Sequence, residues 1–306
     1  MARSWMLGHL LRRCHQANAV IWSATLGPTP TAPQHAVLTV VAGTGGCDIR
    51  TVAALTALDK ATLTGIVRRL ERDGWLRRTT DPADRRRSLL SLTPSARMAR
   101  ARTSLLAGVV REEFLAPLPE ADRERLIGHL RQLARVEQAP PVEAELGVAW
   151  HALVSTPGHL LRRALQVHTA QWAAELGPDL TGPRFVVLRT LRVEGPVPHA
   201  RLGGLSALDK ATLSGIVDRL AAADLVVREP DPADRRSRLV RLTDGGAALV
   251  ESALPRARRV QELTAEPVPE SDRAWLEEAL ERLAFRPGVV SGGEVAPGST
   301  LLGSTP

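Results

Sequence analysis

Lys60 and Lys210 are the only lysines among 40 basic side chains, and both sit in the same string. Leu58-Asp59-Lys60-Ala61-Thr62-Leu63 returns as Leu208-Asp209-Lys210-Ala211-Thr212-Leu213. Lysine is a compact charge with three donors, able to reach a phosphate oxygen or a guanine edge. Thr62 and Thr64, matched by Thr212 and Ser214, can donate to phosphates or touch a thymine methyl. Arg68 follows about two helical turns on, where the second copy has Asp218, which cannot favour a phosphate. A solvated helix start would explain the lysines equally, and ordinary helix surface the hydroxyls.

The charge is distributed unevenly. The chain carries a formal net charge of +7, with 21 basic and 14 acidic residues up to position 150 and 19 of each after it. The whole excess lies in the first half, which points to a polyanionic partner there. Two cysteines allow at most one bridge, an economy typical of an intracellular chain. No apolar run approaches the roughly 18 residues of a membrane span. Residues 1–14 are broken by Arg3, His9, Arg12 and Arg13, so no signal-peptide core is expected. Neither membrane nor cofactor is implied, and no Cys/His spacing suggests a metal. There is no phosphate loop, nucleophile elbow or repeated carboxylate pair, so an enzyme is not expected.

The lysine string is part of a long internal repeat. An offset of 150 carries Gly8-His9-Leu10-Leu11-Arg12-Arg13 onto Gly158 to Arg163, and Asp81-Pro82-Ala83-Asp84-Arg85-Arg86 onto Asp231 to Arg236. Laid without gaps, residues 5–134 and 155–284 share about 52 identities in 130 positions, far above chance. Residues 1–137 and 153–285 are therefore expected to be two copies of one domain, with 138–152 as a linker. Residues 286–306, rich in Gly, Pro, Ser and Thr, are expected to be a disordered tail.

Elements that would position these residues follow from local signals. Leu7, Leu10, Leu11, Cys14, Ala17 and Ile21 have helical spacing. A second helix is expected over 33–42, a loop over 43–46 and a third helix over 51–57. A fourth runs over 60–73, capped by Asp59 and closed by Gly74. Residues 75–79 and 88–92 read as strands around a polar loop. Thr93-Pro94 begins a fifth helix, and a sixth spans 120–136. Pro255, inside the second copy's fifth helix, should kink it. Two short helices, a turn and a hairpin make a winged helix-turn-helix, whose second helix is placed for the major groove. The fold class is mainly α with small β-hairpins.

The run from Leu58 to Glu71, continuing through Asp81-Pro82-Ala83-Asp84-Arg85-Arg86-Arg87 to Leu92-Thr93, resembles the MarR family of bacterial transcription regulators. Leu208 to Leu220 and Asp231 to Thr243 match as well. The resemblance implies homodimers that bind short pseudo-palindromes, usually to repress. Two copies on one chain then imply an intramolecular pseudo-dimer on double-stranded DNA, in the bacterial cytoplasm on the nucleoid. It further implies that Asp84 with Arg86, and Asp234 with Arg236, are ion pairs shaping the wings. Arg85 and Arg235 become DNA contacts, with Arg87 and Arg238 adding charge. Gly65 and Gly215 stand where the family often has a larger polar residue; they permit close backbone approach or remove a base contact.

Many relatives release DNA when a small aromatic or anionic effector binds. His9, Arg13 and Trp22, with His159, Arg163 and Trp172, can line such a pocket, or simply pack the core. Cys14 lies near where one branch of the family keeps a peroxide-sensing cysteine. The supporting tyrosines are absent and Ala164 is its match, so an inert buried thiol is expected. The rival reading is a ligand-sensing or protein-docking module in which one or both copies no longer bind DNA. The higher assembly state is open.

Overall fold

The computed structural model describes residues 7–82, 84, 86–138, 150–232 and 238–286. Helix α1 (Leu7–Leu26) buries Leu7, Leu10, Leu11, Cys14, Ala17 and Ile21 along one stripe. Helix α2 (Ala32–Gly43) opens on a capping box: Gln34 N donates to Thr31 Oγ1, and Thr31 N donates to Gln34 Oε1. The short strand β1 (Cys47–Asp48) leads into α3 (Ile49–Thr56), and α4 (Lys60–Arg72) follows after a left-handed Ala57. Strands β2 (Leu76–Thr80) and β3 (Ser88–Leu92) form an antiparallel sheet with β1 in the order β1-β3-β2. Cys47 faces Leu90, and Leu76 faces Leu92. Helices α5 (Pro94–Leu115) and α6 (Glu120–Leu133) complete the first copy.

Residues 150–154 are helical (α7). The second copy then repeats the order: α8 (Pro157–Leu176), α9 (Gly182–Glu194), β4 (Val197–Pro198), α10 (His199–Ser206) and α11 (Lys210–Ala222). Strands β5 (Val226–Pro230) and β6 (Arg238–Leu242) pair in the order β4-β6-β5, and α12 (Asp244–Ala265) and α13 (Glu270–Ala284) close it. Helix α12 continues through Pro255 without a break in its assignment. Pro255 is on the exposed side, where water can satisfy the Glu251 carbonyl it leaves without a donor. The central linker residues 139–149 and the tail from 287 lie outside the described residues. Among those described, no helix is long and apolar enough to cross a membrane, and no His, Cys, Asp and Glu cluster could hold a metal ion.

Compaction does not follow the repeat boundaries. One unit comprises residues 14–167 with 267–284; the other comprises 168–266 with, among the described residues, 7–13 and 285–286. In the first unit α2 packs on α3, α4, α5 and β3. Val37, Leu38, Val40, Val52, Leu55, Leu63, Val67, Leu70 and Leu90 supply its most buried apolar side chains. This unit also takes in α13: Arg125 pairs with Asp272 at 2.9 Å and lies 4.1 Å over the Trp275 ring, and Cys14 Sγ donates to Leu280 O at 3.3 Å. Cys14 is fully buried.

The second unit has its core in Trp172, Phe185, Leu188, Leu213, Val217, Leu220, Val240 and Val260. Its borrowed arm is seated by Gly8, whose N–H donates to Gln261 Oε1 at 3.4 Å. A Cβ on Gly8 would fall 2.2 Å from His168 Nε2, so a side chain there has no room. The first unit repeats the device, with Gly158 against Asn18 Oδ1 at 2.3 Å from the same imagined atom.

Candidate nucleic-acid interface

Helix α4 is held by its buried stripe of Leu63, Ile66, Val67 and Leu70, so the opposite face must meet solvent. Lys60, Thr62, Thr64 and Arg68 are all exposed there. Helix α11 repeats this with Leu213, Ile216, Val217 and Leu220 inside, Lys210 and Thr212 exposed and Ser214 half-buried. Asp59 caps α4: its Oδ1 accepts from Thr62 N at 2.8 Å and its Oδ2 accepts from Thr62 Oγ1 at 2.6 Å. Asp209 does the same for Thr212 at 2.9 and 2.6 Å. Those bonds, the hydroxyl first and the backbone second, hold both carboxyls below their ordinary range.

The hydroxyls are thus already engaged, which the sequence reading did not anticipate. Thr62 and Thr212 donate to their caps, Thr64 Oγ1 donates to Lys60 O at 2.7 Å, and Ser214 Oγ lies 3.4 Å from His199 Nε2. What Thr62 and Thr212 still offer is a methyl group and acceptor lone pairs. The lysine ammonium groups are not engaged in this way: among the described residues neither Lys60 Nζ nor Lys210 Nζ has a hydrogen bond or an ion pair.

Charge on the two heads diverges by one helical turn. Arg78 on β2 pairs with Glu71 at 2.9 Å, leaving Arg68 exposed. In the second copy Ala221 replaces Glu71, and Arg228 pairs with Asp218 at 2.6 Å instead. A groove there brings Lys210, Ser214 and Arg238 together with His199, Asp218 and Arg228. Sequence reading missed His199 and Arg228; Arg228 was signalled by its match with Arg78. Burial, then the charges of Arg228 and Lys210, lowers the His199 pKa.

The wing pairing needs correction. Asp84 accepts from the backbone N–H of Arg86 at 2.9 Å, and the Arg86 side chain forms no ion pair with it. The pairing arginine is Arg87, whose Nε and Nη2 each lie 2.8 Å from Asp48 Oδ2, with Asp81 at 3.7 Å. Arg87 therefore ties the wing to the cap of α3, and the Asp48 contact raises its pKa. Helices α3 and α4 and strand β2 separate these partners along the chain, which is why spacing alone did not pair them. The second copy lacks both members, with Pro198 and Ser237 in their places. Arg85, Asp234, Arg235 and Arg236 lie outside the described residues.

The six residues considered for an effector pocket are divided between the two units. His9 and Trp172 line one hollow within the second unit, with Arg12, Phe185, Arg189 and Gln261; it holds about 590 Å³ with its open mouth included. Arg13 turns away: its Nη1 donates to Gly204 O at 3.2 Å and its guanidinium stacks 4.5 Å over Phe285. A hollow facing His9 is reached by the side chain one turn along and slightly round, which is Arg12. Trp22, His159 and Arg163 belong to the first unit: Trp22 Nε1 donates to Pro30 O at 2.8 Å, and Arg163 Nη1 to Ala54 O at 3.4 Å. Burial, then Arg13 and Arg12, pushes the His9 pKa down to about 3, so its ring is neutral.

Nothing among the described residues requires a glycine at 65. A Cβ there would meet only Arg69 Nη1 at 3.7 Å, and at Gly215 only Arg219 at 3.8 Å. Gly65→Ala is expected to stabilise the chain by about 1 kcal/mol through helix propensity, read as a higher urea midpoint. Unchanged or lower stability would show that the glycine serves the fold.

Comparison with known proteins gives two family-model matches, both described as MarR family, over residues 26–87 and 180–237. The chain is similar to the HTH-type transcriptional repressor NicR of Pseudomonas putida, 43% identical over 129 residues, which is 42% of this chain and 82% of NicR. It is similar to the transcriptional regulator HosA of Escherichia coli O111:H-, 39% identical over 111 residues, covering 36% and 82%. Among solved structures it is similar to Bordetella bronchiseptica BpsR, in work on regulation of that protein's DNA binding by 6-hydroxynicotinic acid. That match has 39% identity, covers 42% of this chain and 97% of the other, and has a TM-score of 0.39.

Proposed function

The chain belongs to the MarR family, and from that premise we propose that it represses transcription by gripping a pseudo-palindromic operator with α4 and α11. Its relatives are named repressors and regulators of transcription, and the family's members are regulators rather than enzymes. The observation that carries the reading is the matched pair of lysines, each exposed, uncommitted among the described residues and set in the first turn of a capped helix. Two heads on one polypeptide do the work of two subunits. A linker of about 15 residues holds them at an effective concentration on the order of mM.

The heads are unequal in this reading. Arg68 strengthens the first, and the Asp218–Arg228 pair neutralises part of the second. Release comes from a small organic anion in the hollow lined by His9, Arg12 and Trp172. The protein then acts on the nucleoid, in the bacterial cytoplasm.

Selection of bound fragments from random double-stranded DNA, run on the whole chain, tests the proposal. The expected product is two related half-sites with centres about one helical turn apart. Sequence-blind retention would instead favour a sensory or docking module.

A further inference from the structure

The offset of 150 matches Arg12 with Arg162, and the two arginines do different things. In the first unit Arg162 donates through Nε and Nη2 to Thr56 O, at 3.2 and 2.9 Å, and its Nη2 lies 3.2 Å from His159 Nδ1. Thr56 is the last residue of α3, four residues before Lys60. In the second unit Arg12 makes no such bond. Its Nη1 is shut off from water with no hydrogen-bond partner among the described residues, and the hydroxyl of Ser206, the match of Thr56, is buried and unpaired. The neighbouring arginines do not differ in this way: Arg13 reaches Gly204 O as Arg163 reaches Ala54 O.

The surroundings differ in the same sense. Trp172 and Phe185, 5.3 Å apart, wall the hollow beside Arg12. The histidines do not distinguish the two places: His9 Nδ1 and, in the first unit, His159 Nε2 are both buried without a hydrogen-bond partner among the described residues. Gly182 leaves a space 3.8 Å from both Arg12 Nη2 and Trp172. The first unit has Ala32 in place of Gly182, His35 in place of Phe185 and Thr39 in place of Arg189. Thr39 Oγ1 lies 3.5 Å from His35 Nε2. Among the described residues no carboxylate lines the hollow, so none of them gives the desolvated guanidinium a counter-charge there. Burying a cation without one is expensive, and a carboxylate offers it a bidentate partner.

We propose that each chain takes one small aromatic carboxylate, held by Arg12 against the Trp172–Phe185 wall, while the matched place in the first unit is closed by the Thr56 carbonyl. The ligand then addresses the Lys210 head and leaves the Lys60 head unaddressed. This rests on the effector reading above, which already gives the hollow and the anionic charge, and adds to it that only one of the two matched places is open.

Calorimetric titration of the full chain with benzoate, with benzamide as the neutral control, tests it. The expected result is one equivalent per chain, with benzamide at least tenfold weaker. Arg12→Met should abolish the heat and Arg162→Met should preserve it. Gly182→Ala, whose methyl meets only ordinary contacts in the protein, should weaken binding at least tenfold even if an arginine variant fails to fold. Two equivalents, binding that survives Arg12→Met, or unchanged affinity in Gly182→Ala overturns the single-site proposal alone. Absence of any benzoate binding to the wild-type chain overturns the effector reading as well.

Discussion

Replacing Lys60 and Lys210 together with alanine is expected to lower affinity for the selected operator by about 100-fold or more. Each ammonium is exposed and free of ion pairs among the described residues, so its whole charge is available to DNA. A base-edge contact is worth about 1–3 kcal/mol, and two such losses multiply. If instead both groups meet phosphates, the log–log salt slope should fall by about 1.8, because each neutralised phosphate contributes about 0.9. Titrations at several salt concentrations separate these cases. Wild-type affinity in the double variant would remove the lysines from the interface. The caps should be unaffected, since Asp59 and Asp209 bond to Thr62 and Thr212 rather than to the lysines.

Acid should destabilise the folded chain well before its carboxylates titrate. His9, His159 and His168 are 6%, 3% and 5% exposed. Burial is the largest cause of depression in all three, followed by nearby arginines: Arg13 and Arg12 for His9, Arg162 and Arg163 for His159, and Arg12 for His168. The rings go down to about 3 for His9, about 4 for His168, and well below the ordinary value for His159. Above pH 6.5 the rings are neutral whether the chain is folded or not, and stability is full. Below pH 6.5 the unfolded chain takes up these protons while the folded one refuses them. The loss accumulates down to about pH 4. From pH 7.5 to 5.5 three such rings amount to about 4 kcal/mol, or about 6 °C in Tm. Thermal melts at constant ionic strength check this, and a flat Tm across that interval would contradict it. His168→Asn, which copies Asn18, should remove about a third of the slope.

Much of this architecture is written locally. Asp59 and Thr62, or Thr31 and Gln34, are helix starts spelled within four residues, and the stripe Leu63, Ile66, Val67, Leu70 declares which face of α4 is outward. The lysines could therefore be placed from the sequence. What was not legible depends on partners far apart in the chain. β1 has two residues, too few to show alternation, and is defined by its pairing with Leu89 and Leu90. The Arg87–Asp48 pair spans 39 residues, and its only trace in the sequence is the joint change to Ser237 and Pro198. The sequence offers Arg13 beside His9 for such a hollow; which of two adjacent arginines turns inward is decided by Gly204 and Phe285, not by α1 itself.

The exchange of arms, residues 7–13 with the later copy and 157–167 with the earlier, has an evolutionary consequence. Neither half of this gene can drift on its own. A mutation at Gly8 is judged by its fit to His168, and one at Gly158 by its fit to Asn18. Once such a duplication has fixed, each half becomes part of the other's selective environment, and ancestral single-copy behaviour is not recovered by cutting the reading frame in two.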